Sequence, residues 1–263
     1  MSADDRDGDE LVVERRERVL VLRLNRPDAR NALNPALLER LGAAVLEAEE
    51  DAGVSAIVLT GTGDRAFCAG MDLRAFASGE DMARGSPEAT AAFGRLFAGD
   101  VAVPIVGAAN ATAVAGGLEL LLGCDVIVAS ADAQFGLPEV KRGLFAAGGG
   151  TAIGNRIPLA VALELVLTGD PISAARAYEI GLVNAVVPPG EVLTTALTMA
   201  ERIAANGPLA LRASKELVLL AGADVERWAA RRAELHQSVF ASADAQEGAR
   251  AFVEKRAPVW RGE

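Results

Sequence analysis

The sequence predicts an α/β protein whose strands and helices alternate on crossover connections. Apolar runs of strand length recur through the first two thirds of the chain, and segments with apolar residues at helical spacing separate them. Two of the runs are apolar without alternation, the pattern of strands covered on both faces. Of the 263 residues 51% are hydrophobic and only 4% aromatic, so the core is packed mainly from Ala, Val, Leu and Ile.

Residues 1–10 hold five acids (Asp4, Asp5, Asp7, Asp9 and Glu10) against Arg6, which reads as a disordered acidic tail without the pattern of a signal peptide. The core is expected over residues 11–195. Val19–Leu24 is its first strand, closed by the turn-forming cluster Asn25-Arg26-Pro27-Asp28. Asn34-Pro35 then suits a helix N-cap with proline behind it, and Leu37, Leu38, Leu41, Val45 and Leu46 recur at helical spacing. Ser55–Thr60, Pro104–Ala108 and Asp125–Ala129 are the next three strands. Ser78–Pro87 is polar and reads as a mobile loop ahead of a helix over Glu88–Phe97. From about residue 157 the pattern turns helical, and residues 196–263 are expected to form a helical C-terminal region. The uncharged stretch Val101–Leu118 is long enough to raise a membrane span. Pro104, Gly107, Asn110, Gly116 and Gly117 interrupt it, so a buried strand, a turn and a buried helix fit better.

Scarcity narrows the chemistry. The chain has one histidine, His236, and two cysteines, Cys68 and Cys124. Zinc sites of several His and Cys lack their ligands, and a Ser-His-Asp triad would have to use His236. Carboxylates are left to act as acids and bases. Two cysteines without a disulfide framework fit a reduced, cytoplasmic compartment. With 26 basic residues against 36 acidic ones the net charge is −10, which disfavours nucleic acid and anionic membranes as partners.

Gly61-Thr62-Gly63-Asp64-Arg65-Ala66 fits a dinucleotide fingerprint after a strand, but Phe67–Leu73 does not open as an amphipathic helix, so a plain glycine turn is expected. Gly148-Gly149-Gly150-Thr151 lacks the lysine of a phosphate loop and signals close backbone approach. Two glutamates sit in apolar surroundings: Glu119 within Leu118–Leu122, and Glu139 after Phe135-Gly136-Leu137-Pro138. An ionisable group there is costly unless paired or functional, and the pair suits acid–base work. Gly116-Gly117, just ahead of Glu119, can present bare backbone N–H groups to a ligand oxygen.

These elements, taken in order, resemble the crotonase, or enoyl-CoA hydratase/isomerase, family from about residue 11 to the C-terminus. The carrying segments are Asn25–Leu33, Ala66–Leu73, Ala115–Glu119 followed by Cys124-Asp125, Phe135–Glu139, Leu167-Thr168-Gly169, Ala177–Val183 and Phe252–Pro258. The resemblance implies a crotonase-like spiral of ββα units with a C-terminal helical trimerisation region, assembled as a trimer or a dimer of trimers. It implies an acyl-CoA thioester as substrate, with coenzyme A part of that substrate and no separate cofactor. The N–H groups of Met71 and Gly116 would form the oxyanion hole, stabilising enolate charge on the thioester oxygen. Glu119 and Glu139 would be the catalytic pair, orienting one water for syn addition at C3 of a 2-enoyl-CoA. Glu139 would protonate C2 while Glu119 polarises the water. Arg26, Ala29, Ala69, Asp72, Leu73 and Lys255 would contact the CoA, the lysine reaching a neighbouring subunit's ligand.

This sequence departs from the pattern in two places. Ala146-Ala147-Gly148-Gly149-Gly150 stands where many family hydratases have Pro-Gly-Ala-Gly-Gly, and Lys141-Arg142 occupies positions that are usually apolar in the family. Enoyl-CoA hydratase of acyl breakdown is the expected activity. Isomerisation, dehydration of another hydroxyacyl-CoA, thioester hydrolysis and a non-catalytic acyl-CoA-binding role are the alternatives.

Overall fold

The first hairpin is a local consequence of sequence. In the computed structural model, which describes residues 10–73, 75, 85–222 and 225–263, β1 (Leu11–Arg16) turns at Glu17 and Arg18 into β2 (Val19–Leu24) and pairs with it antiparallel. The loop expected over Ser78–Pro87 falls outside the described residues up to residue 84, as does the tail up to residue 9. Glu10 is not tail. Its carbonyl accepts from Asn25 N–H at 2.7 Å, and its carboxylate meets Asn34 and Arg26 at 2.9 and 3.2 Å.

From β2 onward each new strand adds in parallel to the growing edge: β3 (Ala56–Gly61), β4 (Ile105–Ala109), β6 (Val126–Ser130) and β9 (Ala185–Val187). The six-stranded sheet therefore runs in order of first appearance, β1-β2-β3-β4-β6-β9. The remaining short strands, β5 (Ala113–Val114), β7 (Gln134–Gly136) and β8 (Ile172–Ser173), form a second sheet in order. Isolated bridges Leu33↔Met71 and Cys68↔Ala113 carry the earlier turns of the chain past the same side. Each unit thus gives one strand to the large sheet, one short strand or bridge to the other, and a helix, which is the repeating unit of a spiral.

The helices of those units are α1 (Pro35–Glu50), α2 (Pro87–Ala98) and α3 (Gly116–Leu122), and α4 (Leu159–Thr168) and α5 (Ala174–Glu179) follow them. The Asn34 side chain accepts from Leu37 N–H at 2.9 Å with Pro35 at N1, the cap that the sequence predicts for α1. Alternate residues of the large sheet go to separate cores. Leu20, Leu22, Ile57, Leu59 and Ile105 pack with α1, α2 and α3, whereas Val19, Val21, Val58, Val106 and Val128 pack under α6 (Val192–Ala204). Double coverage explains why the strands read as unbroken apolar runs. Beyond the core, α7 (Pro208–Ala221), α8 (Val225–Phe240) and α9 (Ala243–Glu254) form the expected helical C-terminal region. The Val101–Leu118 stretch resolves into β4, β5 and the start of α3, and among the described residues no helix is long and apolar enough to cross a membrane.

One buried polar residue ties the loops at the head of the spiral together. Asn31 is fully buried in a left-handed conformation (φ 54°), which asparagine tolerates better than most residues. Its Oδ1 accepts from Arg26 N–H at 3.0 Å, and its Nδ2 donates to the carbonyls of Thr62 and Ala66 at 3.0 and 2.9 Å. Asn31→Ala leaves three backbone groups, one of them fully buried, without their partner, and we expect a loss of about 2–4 kcal/mol of stability. A denaturant-unfolding midpoint unchanged from wild type would show that the loops do not depend on it.

Candidate active site

The two backbone amides that the sequence singled out lie side by side. Leu33 N–H donates to Gly70 O and Asp72 N–H donates to Leu33 O, both at 2.8 Å. These bonds straddle Met71, so its own N–H points away from Leu33, toward the start of α3. An ideal Cβ built on Gly116 would lie 3.6 Å from Met71 N. Gly116 opens α3, where helix geometry leaves the first N–H groups without an intrahelical acceptor. The chain is forced into this approach. Ala115 sits at φ 52°, ψ −131°, a strained conformation for a residue with a Cβ. Across from it Gly70 has φ +91°, and a Cβ there would come within 2.7 Å of Ala115 Cβ.

Glu119 lies one turn further along α3 and is only 5% exposed. Its Oε1 accepts from Gly150 N–H at 2.8 Å, and Gly148 supplies a second backbone hydrogen bond. Close approach is the reason for glycine here: a Cβ on Gly148 or Gly150 would stand 2.9 or 3.0 Å from a Glu119 carboxylate oxygen. Desolvation raises the Glu119 pKa above the usual carboxylate value, and the two amides pull against that rise. Glu139 sits in a short 3-10 turn, Pro138–Arg142, and its pKa is also raised, first by desolvation and then by the charge of Glu119. Its Oε2 is buried and accepts no hydrogen bond from the protein. One carboxylate is thus held by two donors and the other is left with a free oxygen.

Both carboxylates and both amides line one cleft of about 290 Å³. Its other walls are largely apolar and include Leu33, Leu38, Phe93, Phe97, Leu144 and Phe145. Phe93 and Phe97 stand one helical turn apart on α2 and pack edge to face with centroids 4.6 Å apart. Ala69 and Leu73, expected at the CoA, also line the cleft. Arg26 and Asp72 are bound to each other at 3.0 Å, with Arg26 also donating to Ala32 O at 2.5 Å, so they brace the loop that carries Met71. Ala29 is exposed on the turn Pro27–Ala29, and Lys255, at φ 53° just past α9, stands outside the residues lining the cleft. His236 stacks on Phe240 in α8 at 4.3 Å, and burial pushes both cysteine thiols up to about 12, which leaves neither suited to nucleophilic attack.

Sequence reasoning did not assign the Gly148 and Gly150 amides to Glu119, the strain at Ala115, or Arg142 to the cleft wall. The run of three glycines was a signal of close approach, but its partner lies some thirty residues away. Gly61–Ala66 is a turn that leads into irregular chain through Asp72, so no helix opens directly behind the glycines.

A strained turn that aims two amides into an apolar cleft, beside the buried Glu119 and the half-buried Glu139, is an arrangement able to stabilise negative charge on a carbonyl oxygen and to exchange protons next to it. The model of one family, described as enoyl-CoA hydratase/isomerase, matches residues 14–263, and the chain belongs to that family. It is 39% identical over 256 residues to enoyl-CoA hydratase EchA19 of Mycobacterium tuberculosis, covering 95% of this chain and 96% of that one. It is also 39% identical over 261 residues to the 2,3-dehydroadipyl-CoA hydratase of Escherichia coli, covering 96% and 99%. The crystal structure of an enoyl-CoA hydratase from Mycobacterium tuberculosis superposes with a TM-score of 0.88 at 45% identity, covering 97% of this chain and 100% of that one. The spiral is therefore the crotonase fold.

The raised pKa of Glu139 has a consequence for stability. The folded chain holds this proton to higher pH than the unfolded chain does, so stability falls as pH rises from the ordinary value of 4.5 through the folded one. Glu139→Gln removes the ionisation. We expect the variant to be the more stable protein at neutral pH, the difference closing as pH falls below 4.5. Thermal melts across that range check it, and a variant less stable at pH 7 than at pH 4, relative to wild type, reverses the sign.

Proposed function

We propose that this protein is an enoyl-CoA hydratase that adds water syn across the double bond of a 2-enoyl-CoA to give a 3-hydroxyacyl-CoA. The observation that carries the reading is the unequal pair of carboxylates facing the two cleft amides. Glu119, supplied with two N–H donors, suits the anion that polarises the water. Glu139, desolvated, without a donor on Oε2 and beside Glu119, suits the neutral acid. The water oxygen bonds to C3 and the π electrons move onto the thioester oxygen as an enolate. The N–H groups of Met71 and Gly116 receive that charge, each contributing about 3–4 kcal/mol to the transition state. Glu139 gives its proton to C2, and the proton shed by the water returns to the glutamate pair, which ends with the count it began with. Addition of water is redox-neutral, so coenzyme A enters as part of the substrate and no separate cofactor is needed.

The CoA is read as lying along Ala29, Ala69, Asp72 and Leu73, with Arg26 holding that loop in place. Lys255 would serve a CoA bound by a neighbouring copy, in a trimer or a dimer of trimers. Large apolar side chains left exposed in the C-terminal region, Val218 at 75% and Phe240 at 68%, support assembly through those helices. The resemblances to hydratases support the activity, and the buried free cysteines are consistent with a cytoplasmic setting.

Loss of the enoyl thioester chromophore with formation of a 3-hydroxyacyl-CoA is the expected outcome with the purified protein. A shifted double bond would indicate an isomerase, free CoA a hydrolase, and no change an acyl-CoA-binding protein. Glu119→Gln and Glu139→Gln should each lower kcat by about 10²–10⁴-fold. The acidic limb of the wild-type pH–rate profile should lie above the ordinary carboxylate value of 4.5, because both pKa values are raised. Full activity in the Glu139→Gln variant would sink the assignment.

A further inference from the structure

Arg142 is out of keeping with the wall it belongs to. It lines the cleft beside Leu144, Phe145 and Phe97. Its neighbour Lys141 is used up in an ion pair with Asp170 on the outer surface, and the same turn closes with Gly143 in a left-handed conformation (φ +69°). No ion pair or hydrogen bond holds the Arg142 guanidinium among the described residues. A cation at the mouth of an apolar cleft, in a chain of net charge −10, is an anion receptor or a partner for Glu139.

Local geometry sets its reach. Glu139 and Arg142 are three residues apart in one 3-10 turn, so their side chains lie on the same side of that turn, about 6 Å apart along its axis. Their charges interact. A thioester held by the Met71 and Gly116 amides with its C2–C3 bond at the glutamates lies in the same cleft that the exposed Arg142 lines, so an acyl chain that leaves the glutamates along the Arg142 wall runs toward the guanidinium. Arginine presents a planar fork of donors that matches a carboxylate with two parallel hydrogen bonds.

Resting on the hydratase reading above, we propose that Arg142 is a specificity residue that binds an anionic group on the acyl chain, so that the preferred substrates are short 2-enoyl-CoAs ending in a carboxylate. The carboxylate that such a chain brings into the cleft would otherwise meet the charge of Glu119 and an apolar wall. Arg142 offsets both.

The test compares two thioesters of equal length, hex-2-enoyl-CoA and its ω-carboxylated counterpart. Wild type should favour the carboxylate-ended substrate in kcat/KM by about tenfold or more, and Arg142→Leu should erase or invert that ratio. Arg142→Lys should keep part of it, because charge remains while the fork is lost. A wild-type ratio near or below one overturns the proposal. So does an equal fall on both substrates in Arg142→Leu with a shifted acidic limb, since Arg142 would then act through Glu139. Calorimetric binding of the saturated analogues adipoyl-CoA and hexanoyl-CoA gives a readout free of turnover. Tighter binding of adipoyl-CoA that disappears in Arg142→Leu supports the proposal even if no enoyl-CoA is hydrated, whereas equal binding overturns it.

Discussion

The site depends on a carboxylate kept in a place where it should not be ionised. Glu119 is buried on a helix whose every other residue is apolar or glycine, and its one compensation is a pair of peptide N–H groups from the Gly148–Gly150 segment. Side-chain cations beside such a group would depress its pKa. Peptide dipoles hold it without a full counter-charge, so its pKa stays raised rather than depressed. The neighbouring Glu139 then responds to that charge, and the two acids come to differ although they are the same residue type.

A second constraint is mechanical. Two amides can converge on one oxygen only if both segments that carry them approach closely and neither spends its N–H on the other. The Leu33↔Met71 bridge orients one amide away from its partner strand, and the strained turn at Ala115 swings the other to the head of α3. The strain at Ala115 is held by its surroundings. Its N–H donates to Gly136 O at 2.9 Å, its carbonyl accepts from Glu119 N–H at 3.0 Å, and α3 packs in the core through Leu118, Leu120 and Leu121. Asn31 and Arg26 fix the opposite loop from beneath. Rigid secondary structure thus fixes the direction of both donors before any ligand arrives, as the proposed stabilisation of an enolate requires.

Much of this was legible in the residues. Four strands, the cap of α1 at Asn34 and the helical C-terminal region followed from apolar runs and from turn and cap residues, within one residue at most strand ends. The short strands of the second sheet and β1 were not legible. Two- and three-residue strands such as Ala113–Val114 have no periodicity to display, and β1 (Leu-Val-Val-Glu-Arg-Arg) is half polar because it is an edge. Glu119 and Glu139 stood out because ionisable residues in apolar runs are costly, and the resemblance to a family gave them an order and a purpose. What remained hidden was every relation between distant segments: which glycines reach Glu119, that Arg26 serves Asp72 and Glu10, and that Arg142 rather than Lys141 turns into the cleft.

The sequence by itself determined the α/β class and the family resemblance. With one histidine and two cysteines it pointed to carboxylates as candidate acids and bases, and spacing together with the resemblance singled out two of the 36 acids. Only the tertiary structure decided how those two differ. A pKa is set by desolvation and by the donors and charges within a few ångströms, and here those come from segments some twenty to thirty residues away along the chain. Residue types limit what a site can do. Three-dimensional proximity assigns the parts.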